Sequence, residues 1–357
     1  MTKILSKPDV YLMNKFLPVS FQHEASTGED HVTNIQINVF DCGGIAIAFC
    51  ISHRIMDGGS SSTFFRAWIE RINHITLTKP NFTTISFYPE ATSHFRDISN
   101  QRWGTLLKEG NWITKRFLFG NSALATLKAE ITAADDPSKN HQPSRLQIVS
   151  ALLWKNFMVA SKAQCGTQRP CMVTHAVNLR QFMEESLHPE NSVGNFIWIC
   201  TAEHTGEEEV GLDELISKLK NSIQHVDRDL VARFRRYEDA SSILEDDVKN
   251  VCSKTMDEGF ETFGFTSWYN FGAYELDFGW GKPIWVSTTG LRNTLPCLNM
   301  IVLLETRFRD GIEAWVTIEE EKMKHLESCP DLLTYATLDP SPLTMGSSAG
   351  SNSKSQT

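Results

Sequence analysis

Two stretches of this 357-residue chain carry side chains suited to chemistry. The first is Ser52-His53-Arg54-Ile55-Met56-Asp57-Gly58-Gly59. A histidine titrates near neutral pH, so one held at a strand end and facing a loop suits a general base. The second runs from Gly264 to Trp285 and contains Asp277-Phe278-Gly279-Trp280-Gly281. A histidine followed by an aspartate four residues on is a weak signal, because 11 histidines should give about one such match by chance. His225-Val226-Asp227-Arg228-Asp229 is a second match, and its charged, helically periodic setting from Leu212 to Arg236 predicts a solvated helix face. The Asp277 run specifies five positions including a tryptophan and is far more specific. A kinase reading of His53-Arg54 and Asp277-Phe278-Gly279 fails, since position 55 is Ile and no glycine-rich phosphate loop is present.

The elements around the first stretch can be read from its flanks. Ile45-Ala46-Ile47-Ala48-Phe49-Cys50-Ile51 predicts a buried strand that ends just before His53. Alternation at Ile35, Ile37 and Val39, with a turn at Asp41-Cys42-Gly43-Gly44, makes residues 32–51 a hairpin. Phe64, Phe65, Trp68 and Ile72 recur at helical spacing behind a serine-rich start, which predicts a helix over 60–73.

Composition narrows the function. A net charge of -9 and a pI near 5.7 argue against nucleic acid or an anionic membrane as the main partner. The eight cysteines form no CxxC pair, which favours reduced, buried thiols in the cytoplasm over zinc or disulfides. No metal-ligand spacing occurs, and no GxGxxG or P-loop pattern. No apolar run reaches membrane-spanning length, and no signal peptide is recognised.

Along the chain, Leu12, Phe16 and Leu17 suggest a helix ending at Pro18, and 74–120 reads as a long irregular tract. Helices follow at 122–134 and 146–158, separated by a polar, proline-containing linker at 135–145. Strands are expected at 171–179, 194–203, 283–289, 297–306 and 312–318, with a charged helical region over 209–253. The Ser/Gly-rich tail, 346–357, is expected to be disordered. The whole is a mixed α/β chain.

HxxxDG followed by DFGWG resembles the plant BAHD family of acyl-CoA-dependent acyltransferases. Ser144-Arg145-Leu146 through Leu153-Trp154-Lys155, Asn178-Leu179-Arg180, Val193-Gly194-Asn195 and Arg309 to Val316 extend the resemblance over essentially the whole chain. Within the family it looks most like the vinorine-synthase-like enzymes that acetylate alkaloid alcohols. The resemblance implies a two-domain, chloramphenicol-acetyltransferase-like α/β fold with mixed sheets and an interdomain channel. Residues 1–134 would form the HxxxD domain, 135–145 the crossover and 146–345 the DFGWG domain. The superfamily branches that carry HHxxxDG fit less well, since position 52 is serine. Family members are generally longer at the N-terminus, so the first strand, first helices and part of a channel wall would be lacking. A truncated gene model, a fragment and a genuine short form all fit. Such a loss would expose apolar surface and a sheet edge.

The same resemblance implies roles. His53 would be the general base, with acyl-CoA, acetyl-CoA foremost, as co-substrate and a hydroxylated small metabolite as acceptor. Asp57 would point away from His53 into a structural salt bridge, although a dyad remains an alternative reading. Asp277 would pair with Arg180 as a structural ion pair. Ser144, Arg145, Asn178 and Ser267 lie in the CoA-contacting segments, while Trp268 and Phe271 line the acceptor channel or belong to the core. Alternatives are a malonyl or aromatic acyl donor, an amine acceptor, or a truncated, non-catalytic binding protein. A monomer is expected.

Overall fold

The computed structural model describes residues 1–18, 31–75, 78–90, 92–134, 142–206, 209–293 and 296–344. Most of the linker and the whole tail inferred from composition lie outside these residues. The hairpin is present: β1 (Thr33–Val39) pairs antiparallel with β2 (Ile45–Ile51), with Ile37 opposite Ile47. β2 is half-buried along its length rather than buried, because helix α1 (Gly58–Ile72) covers part of one face of a two-stranded sheet. Phe49 of β2 packs on Phe65 and Trp68 of α1, with ring centroids 4.4 and 6.3 Å apart.

The tract read as irregular contains helix α2 (Ser93–Leu106) and strand β3 (Trp112–Gly120). α2 is polar along most of its length and buries chiefly Ile98, Arg102 and Leu106, so its hydrophobic period is faint in sequence. Helix α3 (Asn121–Ala134) follows, and helix α4 spans Arg145–Cys165, longer than its apolar pattern indicated. Ile148 to Leu153 of α4 are buried in succession, and Phe157 stacks on Phe263 at 4.6 Å. Burying each such ring contributes about 1.5–3 kcal/mol.

The main sheet comprises β4 (Cys171–Asn178), β5 (Ile197–His204), β6 (Glu261–Ser267), β7 (Arg292–Asn293), β8 (Asn299–Glu305), β9 (Gly311–Glu319), β10 (Thr337–Leu338) and β3. Its order is β10-β3-β9-β8-β6-β4-β5, with β7 beside β3. The β4–β6 and β6–β8 pairs are parallel and the others antiparallel, so the sheet is mixed as expected. α4 lies on one face, over Phe117, Val173, Phe263, Ile301 and Ala314. β3 precedes the 135–145 segment yet sits among strands that follow it.

Three further expectations change. Residues 283–289 do not form a strand; Trp285 instead packs over Trp315 and the Arg116 guanidinium, covering the sheet face where no strand edge is available. The N-terminal helix is two short turns, Val10–Met13 and Asn14–Phe16. His225 to Asp229 is an interhelical corner with Val226 buried, where Asp227 accepts a bond from Leu230 N–H and caps Arg228–Arg233. The charged region forms α5 (Leu212–Ile223) and α6 (Tyr237–Cys252) on either side of it. No helix among the described residues is long and apolar enough to cross a membrane. All eight cysteines are free, and two of them, Cys42 and Cys165, are exposed rather than buried.

Candidate active site

His53 lies in the turn that joins β2 to α1, and its side chain is exposed. The turn is held by bonds from Ile55 and Met56 N–H to Ser52 O. Asn195 Nδ2 donates to the His53 carbonyl at 2.8 Å, tying the turn to the segment that enters β5.

Asp57 is 1% exposed and caps α1, accepting from Ser60 N–H at 2.8 Å and from Ser60 Oγ at 2.9 Å. Its two oxygens also take both terminal nitrogens of Arg180, at 2.7 and 2.9 Å, and the Phe196 N–H at 2.9 Å. Burial alone would raise this carboxyl. The hydrogen bonds and charge of Arg180, with the Ser60 and Phe196 N–H groups, outweigh burial and hold it below the usual carboxylate range. Charge-assisted, bidentate pairing of this kind fixes geometry as well as energy. The hydrogen bonds of the Asp57 carboxylate thus go to Arg180, Ser60 and Phe196.

Arg180 sits on the turn after β4 and is equally engaged. Its Nη2 donates to Ser192 O and to Ser60 Oγ, both at 2.9 Å, and its guanidinium lies over the Phe196 ring. The partner expected from the resemblance, Asp277, is not the one observed. Asp277 Oδ1 instead accepts from Gly279 N–H at 2.8 Å and Gly281 N–H at 3.0 Å, closing its own loop. Both glycines have positive φ, 92° and 96°, which few other residues adopt readily. The reason is placement: segment 178–196 meets the start of α1, whereas the DFGWG loop runs beside its middle and end. There Phe278 packs on Trp68 at 5.0 Å, and Asn73 Nδ2 reaches Asp277 O.

The two glycines after Asp57 allow close approach on both sides. A Cβ at Gly59 would fall 2.7 Å from Arg180 Nη1, and one at Gly58 only 2.3 Å from Phe271 Cε2. Ser62 Oγ donates to Phe271 O at 2.9 Å. Phe271 thus touches the start of α1, and the half-exposed Trp268 donates its N–H to Leu303 O.

Of the CoA candidates, two converge on Tyr269. Arg145 donates through Nη2 to the Tyr269 hydroxyl and lies over its ring, and Ser267 Oγ accepts from Tyr269 N–H at 3.2 Å. Ser144 adjoins Arg145 and caps α4 in a reciprocal box with Gln147. Among the described residues no carboxylate pairs with Arg145. Asn178 belongs instead to the Arg180 network, its Oδ1 accepting from Arg180 N–H at 3.1 Å. The sequence reading assigned no role to Tyr269, which lies in the Gly264–Trp285 run, or to Asn195, which it named only within Val193-Gly194-Asn195. An apolar pocket of about 490 Å³ is bordered by Ile35, Met56, Phe64, Trp68, Phe82 and Val193.

A family model described as the transferase family matches residues 3–333. Over 346 residues the chain is 38% identical to a limonoid 7-O-acetyltransferase of Citrus sinensis, covering 93% of this chain and 73% of that protein. It is 33% identical to the stemmadenine O-acetyltransferase of Catharanthus roseus over 322 residues, covering 88% and 70%. The crystal structure of vinorine synthase superposes with a TM-score of 0.72 at 27% identity, covering 94% of this chain and 74% of that one.

Proposed function

We propose a function from one premise: this chain belongs to the BAHD family of acyl-CoA-dependent acyltransferases. It is an O-acyltransferase that takes acyl-CoA as co-substrate. In our reading the donor is acetyl-CoA and the acceptor a hydroxyl of a plant specialised metabolite. The 38% identity to a limonoid acetyltransferase supports limonoid alcohols, beside alkaloid alcohols, as the first acceptors to try.

His53 is the general base in this proposal. As the acceptor oxygen attacks the thioester carbonyl, His53 takes the hydroxyl proton and a C–O bond forms. Collapse of the tetrahedral intermediate breaks the C–S bond, and His53 returns the proton to the CoA sulfur, so ester and free thiol leave in balance. The observation that carries this is the occupancy of Asp57. Its carboxylate is spent on Arg180, Ser60 and Phe196, so it fixes the turn while the His53 ring stays exposed on it. Asp57 and Arg180 then act as positioning residues, and Asp277 as the residue that shapes the DFGWG loop. Ser144, Arg145 and Ser267 would meet the nucleotide end of CoA, with Arg145 as the phosphate ligand. Asn178, engaged with Arg180, stands apart from this set. The division into a His53 lobe over 1–134 and a DFGWG lobe over 146–345, with the reaction in a channel between them, is part of the same proposal, with β3 of the first segment completing the sheet of the second. A cytoplasmic location suits eight free thiols.

Thiol release from acetyl-CoA, measured on the folded protein with limonoid and alkaloid alcohols, tests the reading. Acceptor-dependent release that disappears in His53→Ala is expected. Unchanged turnover in that variant would remove His53 as the base. Release from malonyl-CoA alone would shift the donor to the one named for the 31% identical N-malonyltransferase of Strychnos nux-vomica.

A further inference from the structure

Arg145, Lys282 and Arg309 form one chain of contacts where the start of α4 meets the turn between β8 and β9. Two of these cations have counter-charges. Lys282 pairs with Glu275, and Arg309 lies 3.3 Å from Glu305 through Nε and 3.9 Å from Glu275 through Nη2. The partners of Arg145 are neutral oxygens instead. Its Nη1 donates to the Arg309 carbonyl at 3.3 Å and its Nη2 to the Tyr269 hydroxyl, with Cζ 5.7 Å from the centre of the Tyr269 ring.

Neutral acceptors orient a guanidinium without cancelling its charge, whereas a carboxylate does both. The remaining N–H donors of the fork are left for a ligand. Tyr269 is itself fixed. Its N–H donates to Ser267 Oγ at 3.2 Å, and the N–H of Trp268 before it goes to Leu303 O at 2.8 Å. Tyr269 and Leu146, the neighbour of Arg145, both pack against the core that α4 shares with the sheet. The contact therefore joins a helix start to a strand end, each on a rigid element. A long side chain left free at that place would lose rotamer freedom whenever a ligand bound, and the phenol removes that loss beforehand.

We propose that Tyr269 is a positioning residue for acyl-CoA, resting on the reading of Arg145 as its phosphate ligand. The Tyr269 hydroxyl and ring hold the guanidinium in the orientation in which it meets a phosphate of the nucleotide end. Tyr269 acts through Arg145, on affinity for CoA. A tether that served only to tie α4 to β6 would leave that affinity alone.

Calorimetric titration with CoA, which needs no acceptor, is made on the wild-type chain, Tyr269→Phe, Arg145→Met and the double variant. Tyr269→Phe keeps the ring and removes the hydroxyl. Freezing one such side chain on binding corresponds to a rise in Kd of about 2–12-fold, which is the loss expected. In the Arg145→Met background the same change should alter Kd by less than about twofold, because no guanidinium remains to be oriented. Arg145→Lys leaves Tyr269 in place and keeps the charge but loses the fork, so it too should weaken CoA binding. Unaltered affinity in Tyr269→Phe, an equal loss in both backgrounds, or full affinity in Arg145→Lys overturns the proposal. A loss in Arg145→Met without one in Tyr269→Phe removes the role of Tyr269 and leaves Arg145 as the phosphate ligand. Full affinity in Arg145→Met removes both, and a folded wild-type chain that does not bind CoA removes the acyl-CoA reading itself.

Discussion

Replacing Asp57 by Asn leaves the Arg180 guanidinium buried at 6% exposure without its counter-charge. Five bonds converge on Asp57: two charge-assisted bonds from Arg180, two from Ser60 and one from the Phe196 N–H. Breaking a buried pair from one side costs about 3–5 kcal/mol. With about 2.1 cal/mol/K of unfolding entropy per residue, a chain of this length shifts by about 1.3 °C per kcal/mol, so Tm should fall by about 4–7 °C. Arg180→Met should cost a similar amount. Because each single change strands the other partner, the double variant should recover about 1–3 kcal/mol relative to the sum. Calorimetry on the four proteins reads this coupling. Glu184→Gln, which breaks the exposed Arg235–Glu184 pair at 2.8 Å, serves as the control and should cost less than about 1 kcal/mol. Strict additivity of Asp57→Asn and Arg180→Met, or a loss no larger than the control's, would refute the view that this pair locks the His53 turn.

Other expectations follow from neighbouring geometry. Asp277→Asn keeps an oxygen for the Gly279 and Gly281 N–H groups, so it should lower Tm by no more than the exposed-pair control. A fall as large as that of Asp57→Asn would mean that Asp277 holds a buried charge after all. Gly59→Ala drives a methyl against Arg180 and should destabilise by about 1–3 kcal/mol, as overpacking does; an unchanged denaturation midpoint would show that the guanidinium can yield. Burial pulls the His175 imidazole down to about 4, while an unfolded histidine titrates near 6.5. The unfolded chain therefore binds the extra proton, so this contribution is complete above about pH 6.5 and is lost as pH falls toward 4. His175→Phe, which can keep the stack on Phe265, should flatten the fall in Tm between those limits, and an unaltered slope would assign the acid sensitivity elsewhere.

How much was legible depended on whether a signal was local. The hairpin, α1, α4 and strands β4, β5, β8 and β9 show in the sequence because burial on one face leaves a period of two or of about 3.6, and burial on both leaves an unbroken apolar run, as in β4 and β9. α2 left little trace because its exposed surface is wide and polar. β6 was absorbed into the aromatic run around DFGWG, and 283–289 looked like a strand because Ile284, Trp285 and Val286 are apolar for a different reason. Trp285 covers a sheet face without joining a ladder.

The motifs named the family, and with it the fold and reaction class, because HxxxDG and DFGWG each specify residue types at fixed short spacing. Which carboxylate meets Arg180 could not be read that way. Asp57 and Arg180 are 123 positions apart, and no short-range pattern distinguishes that pairing from one with Asp277. It was decided when the turn after β4 packed against the start of α1. There Gly59 left room for a guanidinium, and the cap of the helix supplied the charge that removes it from water.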